Sequence, residues 1–561
     1  MDTTASHGDF DTDVIVVGAG PIGLITACAL AHHGVAVRLF EKRSEPRKSS
    51  RANNVWARTQ ELLESVDLRA VLAAKAYEVD RQTILVDGRP LDQVQLDDVI
   101  SPYPKVLYSG QDVIEKTLIE QAQARGVIVA LGRQVTSLEQ DDHGVTVSVQ
   151  HVDEHGEPCG HEERVRSRYL VGADGNDGFV RKSLGLDFEP TKLPGRAIRS
   201  IDAKLTWQRS TDCDQLWFFT YHSGFAGVLP VWEGYHRLFF LEDADAMADR
   251  DPTLDEMQAH AREIIGDETL TLADPIWMSY GRFQHGVADR YAAGRVFLAG
   301  DAGHTTLPIG GQGMNAGMHD AIGIAWRLAQ TLAGHASASI LASFDGERQS
   351  QHATLDKQQT TGFDRLVYRN RIEDMALAAV GKLFPSIGGK LLANDDLQQL
   401  TVAYPDSPLT EDHLKKKDGC PSAGDRAPDA PLTACDGRTS RLFPIIYNAS
   451  ARSWGWNILG FDGRDNDAIK TLRAACLAVT GWDFVRSTFI VSAPEAMETE
   501  GKAKDSLSDL DGVAHAAYGL ADSPALVLIR PDGHIAFRCP AERDDLLLAY
   551  CENTFGRPVA G

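Results

Sequence analysis

The chain has 561 residues, of which 43% are hydrophobic and 24% charged, and 56 Lys and Arg against 79 Asp and Glu leave a net charge of −23. At about 150 residues per domain this corresponds to roughly three to four domains, and the composition is that of a globular chain rather than a disordered, collagenous or membrane-bundle one. A surface this acidic repels phosphate backbones, so nucleic acid is not expected as a partner. The N-terminal MDTTASHGDFDTD lacks the basic flank of a secretory signal. The apolar stretch 14–30 contains Gly18, Gly20, Pro21 and Gly23, which mark a turn, and no other stretch has the length to cross a bilayer. Eight cysteines, none closer than the pair Cys539 and Cys551, supply no C-x-x-C unit for zinc or dithiol chemistry. A cytoplasmic protein without a metal centre is expected.

Residues 13–17, DVIVV, read as a buried parallel strand. They lead into Gly18-Ala-Gly20-Pro21-Ile22-Gly23, a helical pattern over 24–33, and a second strand over 35–40 that ends at Glu41. This is a βαβ unit with G-x-G-x-x-G at its first turn. Gly18 permits the tight turn, Gly20 lets a pyrophosphate reach the backbone, Gly23 lets helix and strand pack, and the helix N-terminus faces the phosphates. Glu41 stands where a carboxylate accepts ribose hydroxyls. The unit suits NAD or the adenosine half of FAD, and alone it does not choose between them.

Two later segments decide. Residues 168–175 form a strand ending in Asp174-Gly175, and residues 294–301 form another ending in Gly300-Asp301. The second continues as Thr305-Thr-Leu-Pro308-Ile-Gly310-Gly311-Gln312-Gly313-Met314-Asn315, with a helix predicted from about Ala316. Asp301 closes a buried strand, where it can accept a ribityl hydroxyl. The side-chain-poor loop 308–313 lets backbone amides reach a flat ring and a developing anion.

This ordered set resembles the single-component FAD-dependent aromatic hydroxylases, the family of para-hydroxybenzoate hydroxylase and phenol hydroxylase. The resemblance covers residues 13–350 and extends more weakly to the C-terminus. It implies bound FAD, transient NADPH or NADH as reductant, and molecular oxygen as co-substrate. It implies that the loop matching Gly310 to Met314 contacts the isoalloxazine and that Pro308 lies near the reacting face. Asp174 is associated there with flavin and nicotinamide binding, although a strand-end turn is the alternative. By position, Arg51 of Ser50-Arg51-Ala52 would lie near pyrophosphate and flavin, and Gln111 resembles the family glutamine that contacts FAD. Lys42 follows the ribose acid and could equally be solvated. Arg58 and Glu115 are either cofactor neighbours or surface residues. No second G-x-G-x-x-G is present, as expected when the reductant binds only transiently.

Residues 215–221, 227–231 and 236–241 alternate as antiparallel strands around a turn at Gly234-Tyr235. One face could present Trp217, Phe219 and Tyr221 to an aromatic substrate, with Tyr108 at the pocket. The same aromatics would equally fill a core. Tyr221 and His222 are the candidates for handling a phenolic proton. Residues 340–400 read as helical, and 401–409 and 423–429 as Pro-rich connectors. Residues 523–530, the turn Pro531-Asp-Gly533 and residues 534–538 form a hairpin that resembles the thioredoxin-like C-terminal domain of phenol and polyketide hydroxylases. Packing or homodimer contacts are its expected role, since dithiol exchange is impossible without C-x-x-C.

The expected architecture combines α/β and α+β folds. A Rossmann-like FAD-binding domain (1–75, 103–185 and 284–345) is interleaved with an antiparallel-sheet substrate domain (76–102 and 186–283). A helical connector (346–422) and a thioredoxin-like domain without C-x-x-C (423–561) follow. The implied reaction is hydroxylation of a phenolic or polycyclic aromatic small molecule through a flavin C4a-hydroperoxide. Baeyer–Villiger insertion or epoxidation of an aromatic polyketide, and simple NADPH oxidation, are the alternatives.

Overall fold

The computed structural model describes residues 10–47, 53–86, 88–153, 155–221, 224–244, 250–367, 395–434, 437–447, 455–465, 468–492 and 506–557. The short β-branched runs form a parallel sheet buried on both faces, as their unbroken apolar character requires. β1 (Thr12–Val17), α1 (Pro21–His32) and β2 (Val37–Glu41) make its first crossover. β1 lies between β2 and the end of Pro158–Gly172, with Val14 opposite both Val37 and Tyr169. Val296–Leu298 and Ile128–Leu131 extend the parallel core on its two sides. Arg133–Gln140 and Val145–Val152 add an antiparallel ribbon to the long strand. α2 (Ala57–Glu64) and α3 (Gln111–Ala124) flank this layer.

The second sheet has eight strands. Thr271–Val287, Thr191–Thr206, Tyr235–Asp243, Gly224–Val231 and Gln215–Tyr221 follow one another antiparallel. Arg81–Val86 then joins in parallel, and its hairpin partner Arg89–Gln95 closes that side. α4 (Leu254–Ile265) covers one face of this sheet with Met257, Ala261 and Ile265. Its start carries a reciprocal capping box between Thr253 and Glu256.

The long helices α5 (Gln312–Leu332) and α6 (Ala338–Val367) come next. α5 is almost wholly buried and packs on α1, where a Cβ at Gly317 would stand 2.8 Å from Ile22 Cδ1. It begins four residues before Ala316 because Gly311 adopts a left-handed φ of 60° and starts the helix at Gln312. Of the helical stretch expected over 340–400, α6 accounts for residues to Val367, and 368–394 lie outside the described residues.

The C-terminal sheet is thioredoxin-like. Trp456–Phe461, α7 (Ala468–Ala478) and Val485–Val491 form a parallel crossover. The antiparallel strands Ala525–Ile529 and Ile535–Pro540 follow, then α8 (Asp544–Phe555). This sheet docks on α2, α5 and α6 through buried charges. Arg426 donates to both oxygens of Glu61, Arg58 donates to the Asp532 carbonyl at 2.6 Å, and Arg530 spans Glu347 at 2.7 and 2.9 Å. Among the described residues, no helix is long and apolar enough to cross a membrane.

Candidate active site

The glycine loop has the shape its spacing predicts. Gly18 has φ 106°, and a Cβ there would stand 2.3 Å from the Ala173 carbonyl oxygen; one at Gly23 would stand 1.9 Å from the Gly18 carbonyl oxygen. Both glycines let backbone pass backbone. A Cβ at Gly20 would meet nothing within 4 Å, so this side of the loop is open. Gly20 caps α1 without a side-chain bond, and Pro21 has no N–H to spend. The remaining first-turn amides, including those of Ile22 and Gly23, are free to meet an anion.

Glu41 ends β2 beside this loop. Its Oε2 accepts the Ala19 N–H at 2.7 Å, and its Oε1 accepts Arg43 Nε at 2.9 Å. Burial pushes this carboxyl up, but the Arg43 side chain and the Ala19 and Arg43 amides outweigh it and hold the group ionised. Arg43 also lies 3.5 Å from Glu115, which accepts Gln111 Nε2 at 2.9 Å. Buried Glu41, Glu115 and Gln111 and half-buried Arg43 therefore form one group at the start of α3, and Glu115 is not a surface residue. Lys42 points into solvent.

Asp174 caps the turn after Gly172, accepting the Val180 N–H at 2.9 Å, while its Oδ1 is buried without a partner. Burial raises its pKa. Arg181, from the same segment, donates to the Ala302 carbonyl at 2.6 Å and ties this motif to the Gly300–Asp301 turn. Gly300 takes φ 63°, and Asp301 beside it is exposed. Behind the turn, Asp320 of α5 accepts the Gly300 N–H at 2.9 Å.

The loop 308–315 is pinned from one side. Asn315 accepts the Trp56 N–H at 2.9 Å and donates to the Asn54 and Gly311 carbonyls. Trp56 Nε1 donates to the Gly310 carbonyl at 2.7 Å. Gln312 is buried, reaches the Leu397 carbonyl at 3.4 Å and leaves Oε1 without a partner. A Cβ on Gly313 would stand 2.5 Å from Thr306 Oγ1, and Met314 packs on the core of the parallel layer. Pro308 is exposed at the loop's start. An open glycine cradle, orphaned oxygens on Asp174 and Gln312, and a loop of backbone amides fit an extended dinucleotide carrying a flat ring system.

The register of the second sheet decides between the two readings of its aromatics. Phe219 packs beneath α4 with Met257 and Ala261, Trp217 and Tyr221 lie against the same cluster, and Trp207 meets both Trp217 and Phe219 edge-on. The Tyr221 hydroxyl donates to Glu242 at 2.9 Å on this face. Trp217, Phe219 and Tyr221 therefore belong to the α4 core rather than to a pocket wall. The opposite face carries Phe218, Phe225 and Phe239, with Phe218 and Phe225 stacked at 5.2 Å. Phe225 lies against Leu241, Phe283 and Leu307, one residue before Pro308. Phe218 and Phe239 pack on a buried cluster that contains Trp56 and Tyr108, so Tyr108 lies in the core on the face of the sheet opposite α4. Arg51 and His222 lie outside the described residues.

Arg58 is fully buried and bonds Tyr447, the Asp532 carbonyl and Glu61, so it serves docking of the C-terminal sheet. Asn54, Trp56, Asp320 and Arg348 were not singled out by sequence. The one legible signal among them is the carboxylate of Asp320 inside the apolar run GMHDAIGIAW.

A family described as "FAD binding domain" matches residues 11–358. A 12-dehydrotetracycline 5-monooxygenase/anhydrotetracycline 6-monooxygenase of Streptomyces rimosus is 32% identical over 98% of this chain and 99% of its own length. The pentachlorophenol 4-monooxygenase of Sphingobium chlorophenolicum is 25% identical over 96% of each chain. The solved anhydrotetracycline hydroxylase of Streptomyces rimosus superposes with a TM-score of 0.71 at 27% identity, over 98% of this chain and 100% of its own. A ternary complex of aklavinone-11 hydroxylase with FAD and aklavinone shares the fold, with a TM-score of 0.73 at 22% identity over 98% of this chain and 100% of that one. With the motifs in place and matches of this extent, the chain belongs to the FAD-binding family of flavoprotein monooxygenases.

Proposed function

We propose that this monooxygenase hydroxylates a planar phenolic or polycyclic aromatic substrate at the expense of NADPH or NADH and molecular oxygen. The observation that carries the reading is the phenylalanine face of the second sheet, Phe218, Phe225 and Phe239, which meets the residues flanking the loop 308–313. The near full-length similarity to an enzyme named for tetracycline precursors supports the polycyclic class.

Bound FAD supplies the redox and oxygen chemistry. The chain's own residues bind, orient and exclude. The first-turn amides of α1 would hold the pyrophosphate, Glu41 would accept the ribose hydroxyls, and Asp301 would meet the ribityl chain. The backbone of the loop 310–313 would line the ring, with Pro308 near its reacting side. The phenylalanine face stacks an aromatic ring and keeps water from the reacting centre.

The test is nicotinamide oxidation by the FAD-loaded protein across phenols, aryl acids and anthraquinone-like polyketides under ¹⁸O₂. One class should stimulate oxidation and yield a product with one labelled hydroxyl. A ring-opened lactone, identified by NMR, would replace hydroxylation with Baeyer–Villiger insertion. Peroxide equal to the nicotinamide consumed with every compound would leave only an oxidase.

A further inference from the structure

The face of Asp320 turned away from Gly300 leads to the C-terminal domain. Arg348 Nε donates to Asp320 Oδ1 at 2.6 Å, and Arg348 Nη1 donates to the Tyr404 hydroxyl at 2.6 Å. The Tyr404 ring lies 4.6 Å from the His534 ring and under the Arg530 guanidinium at 5.3 Å. His534 and Arg530 flank the turn of the C-terminal hairpin, and the Tyr404 N–H bonds the Gly424 carbonyl, whose residue in turn bonds Ile535. All of these side chains are buried. His352 Nε2 also lies 3.0 Å from Asp320 Oδ1, and the His304 ring stacks on the His352 ring at 3.6 Å.

His304, Asp320 and His352 are the one group among the described residues that offers three close ligand atoms to a cation. Two features argue against a metal. Arg348 already occupies Asp320 Oδ1, and the two imidazoles are stacked 22° from parallel, so their in-plane lone pairs run alongside each other instead of converging. Burial lowers both imidazole pKa values against the opposing pull of Asp320, His304 down to about 3. Burial also works against the Asp320 charge, but the His352 and Arg348 donors outweigh it and the carboxyl stays ionised.

We infer that Asp320 is a positioning residue for the flavin. It fixes the left-handed Gly300 turn that presents Asp301, and it is itself held by the Arg348–Tyr404 relay, through which the C-terminal domain shapes the cofactor site. With Gly300 N–H on one oxygen and Arg348 and His352 on the other, the buried Asp320 carboxylate has one orientation. Loss of the Tyr404 hydroxyl leaves Arg348 Nη1 unsatisfied and frees Asp320 to follow it. The inference rests on the FAD assignment.

The test compares the full-length wild type with Tyr404→Phe, Asp320→Asn and Ser407→Ala. Ser407 donates to Glu347 at 2.5 Å in the same domain contact but has no bond to Arg348 or Asp320, so Ser407→Ala reports docking alone. FAD affinity is read by flavin fluorescence, the ring environment by visible circular dichroism of bound flavin, and docking by the thermal midpoint of apoprotein. Tyr404→Phe should weaken FAD by about fivefold or more and change the visible dichroism. Its apoprotein midpoint should fall no further than that of Ser407→Ala, which should keep wild-type FAD affinity. Asp320→Asn should weaken FAD further, and if it does not fold, Tyr404→Phe decides. FAD affinity within about twofold of wild type and unchanged dichroism in Tyr404→Phe would overturn the inference. A wild-type chain that binds no FAD would instead overturn the cofactor assignment.

Discussion

Glu41 shows how one side chain serves two partners. It is oriented by the Ala19 amide and Arg43, so it is ionised and fixed before any ribose arrives. Glu41→Gln keeps the shape and removes the charge, and should weaken FAD about tenfold, the size of one charge-assisted hydrogen bond; a variant that purifies with full FAD at unchanged affinity would remove this role. Gly311 is constrained differently. A Cβ there would lie 1.9 Å from Asn54 Oδ1, and φ is 60°. Gly311→Ala should therefore lower stability by about 1–3 kcal/mol, read as a drop in the unfolding midpoint in denaturant. An unchanged midpoint would mean that Asn54 and the loop relax freely. These glycines and Glu41 were legible in the sequence because their constraints are local: a turn, a close approach, a strand end. Asn54 and Trp56 were not, because their hydrogen bonds reach residues about 255 positions away.

At the scale of elements, the parallel strands and crossovers could be read directly, since an unbroken apolar strand has one environment on both sides. The strand Gln215–Tyr221 was different. In QLWFFTY both alternating sets carry aromatics, so period-2 reasoning has no phase to follow. The phase is set by its neighbours: Val228 and Ala226 opposite Trp217 and Phe219 pair with the α4 side, and Gly227 opposite Phe218 with the other. The two faces predict opposite phenotypes. Phe219→Ala empties a packed core and should cost about 3–5 kcal/mol of stability, with turnover per folded molecule retained. Phe239→Ala should leave the thermal midpoint closer to wild type and raise KM for the aromatic substrate. If the two variants exchanged these effects, the assignment of the substrate face would be reversed.

Across the whole molecule, the C-terminal sheet carries its own charged clamp. The His515 imidazole lies 2.9 Å from Asp462 and 2.7 Å from Asp509, just past the ends of Trp456–Phe461 and Ser506–Ser508, the two strands that flank Val485–Val491 in parallel. Burial pushes its pKa down, but the two carboxylates outweigh this and raise it to about 9. A raised histidine stabilises the fold fully below its unfolded value of about 6.5 and loses that contribution as pH climbs through about 9. The wild-type thermal midpoint should therefore fall between pH 6.5 and 9.5 more steeply than that of His515→Gln. Parallel curves for the two proteins would show that the imidazole is neutral in the folded state. The hairpin was legible from its turn residues and strand pattern, and the thioredoxin-like domain through its resemblance to that of larger hydroxylases, whereas the docking charges were not, since Arg58 and Glu347 find partners 474 and 183 positions along the chain.

That separation bears on how the protein is made. Arg58 and Glu61 lie near the start of the sequence, yet Arg426 and Asp532, which complete their bonding, are made in its last quarter. During synthesis the nascent N-terminal part must either keep these charges hydrated, with α2 unsettled, or bury the Arg58–Glu61 pair without its remaining partners. The first course is cheaper. The cofactor-binding half thus completes its packing only after translation has nearly finished, and a premature stop codon anywhere before the final hairpin yields a chain that proteases and chaperones can recognise by its unsealed α2 face.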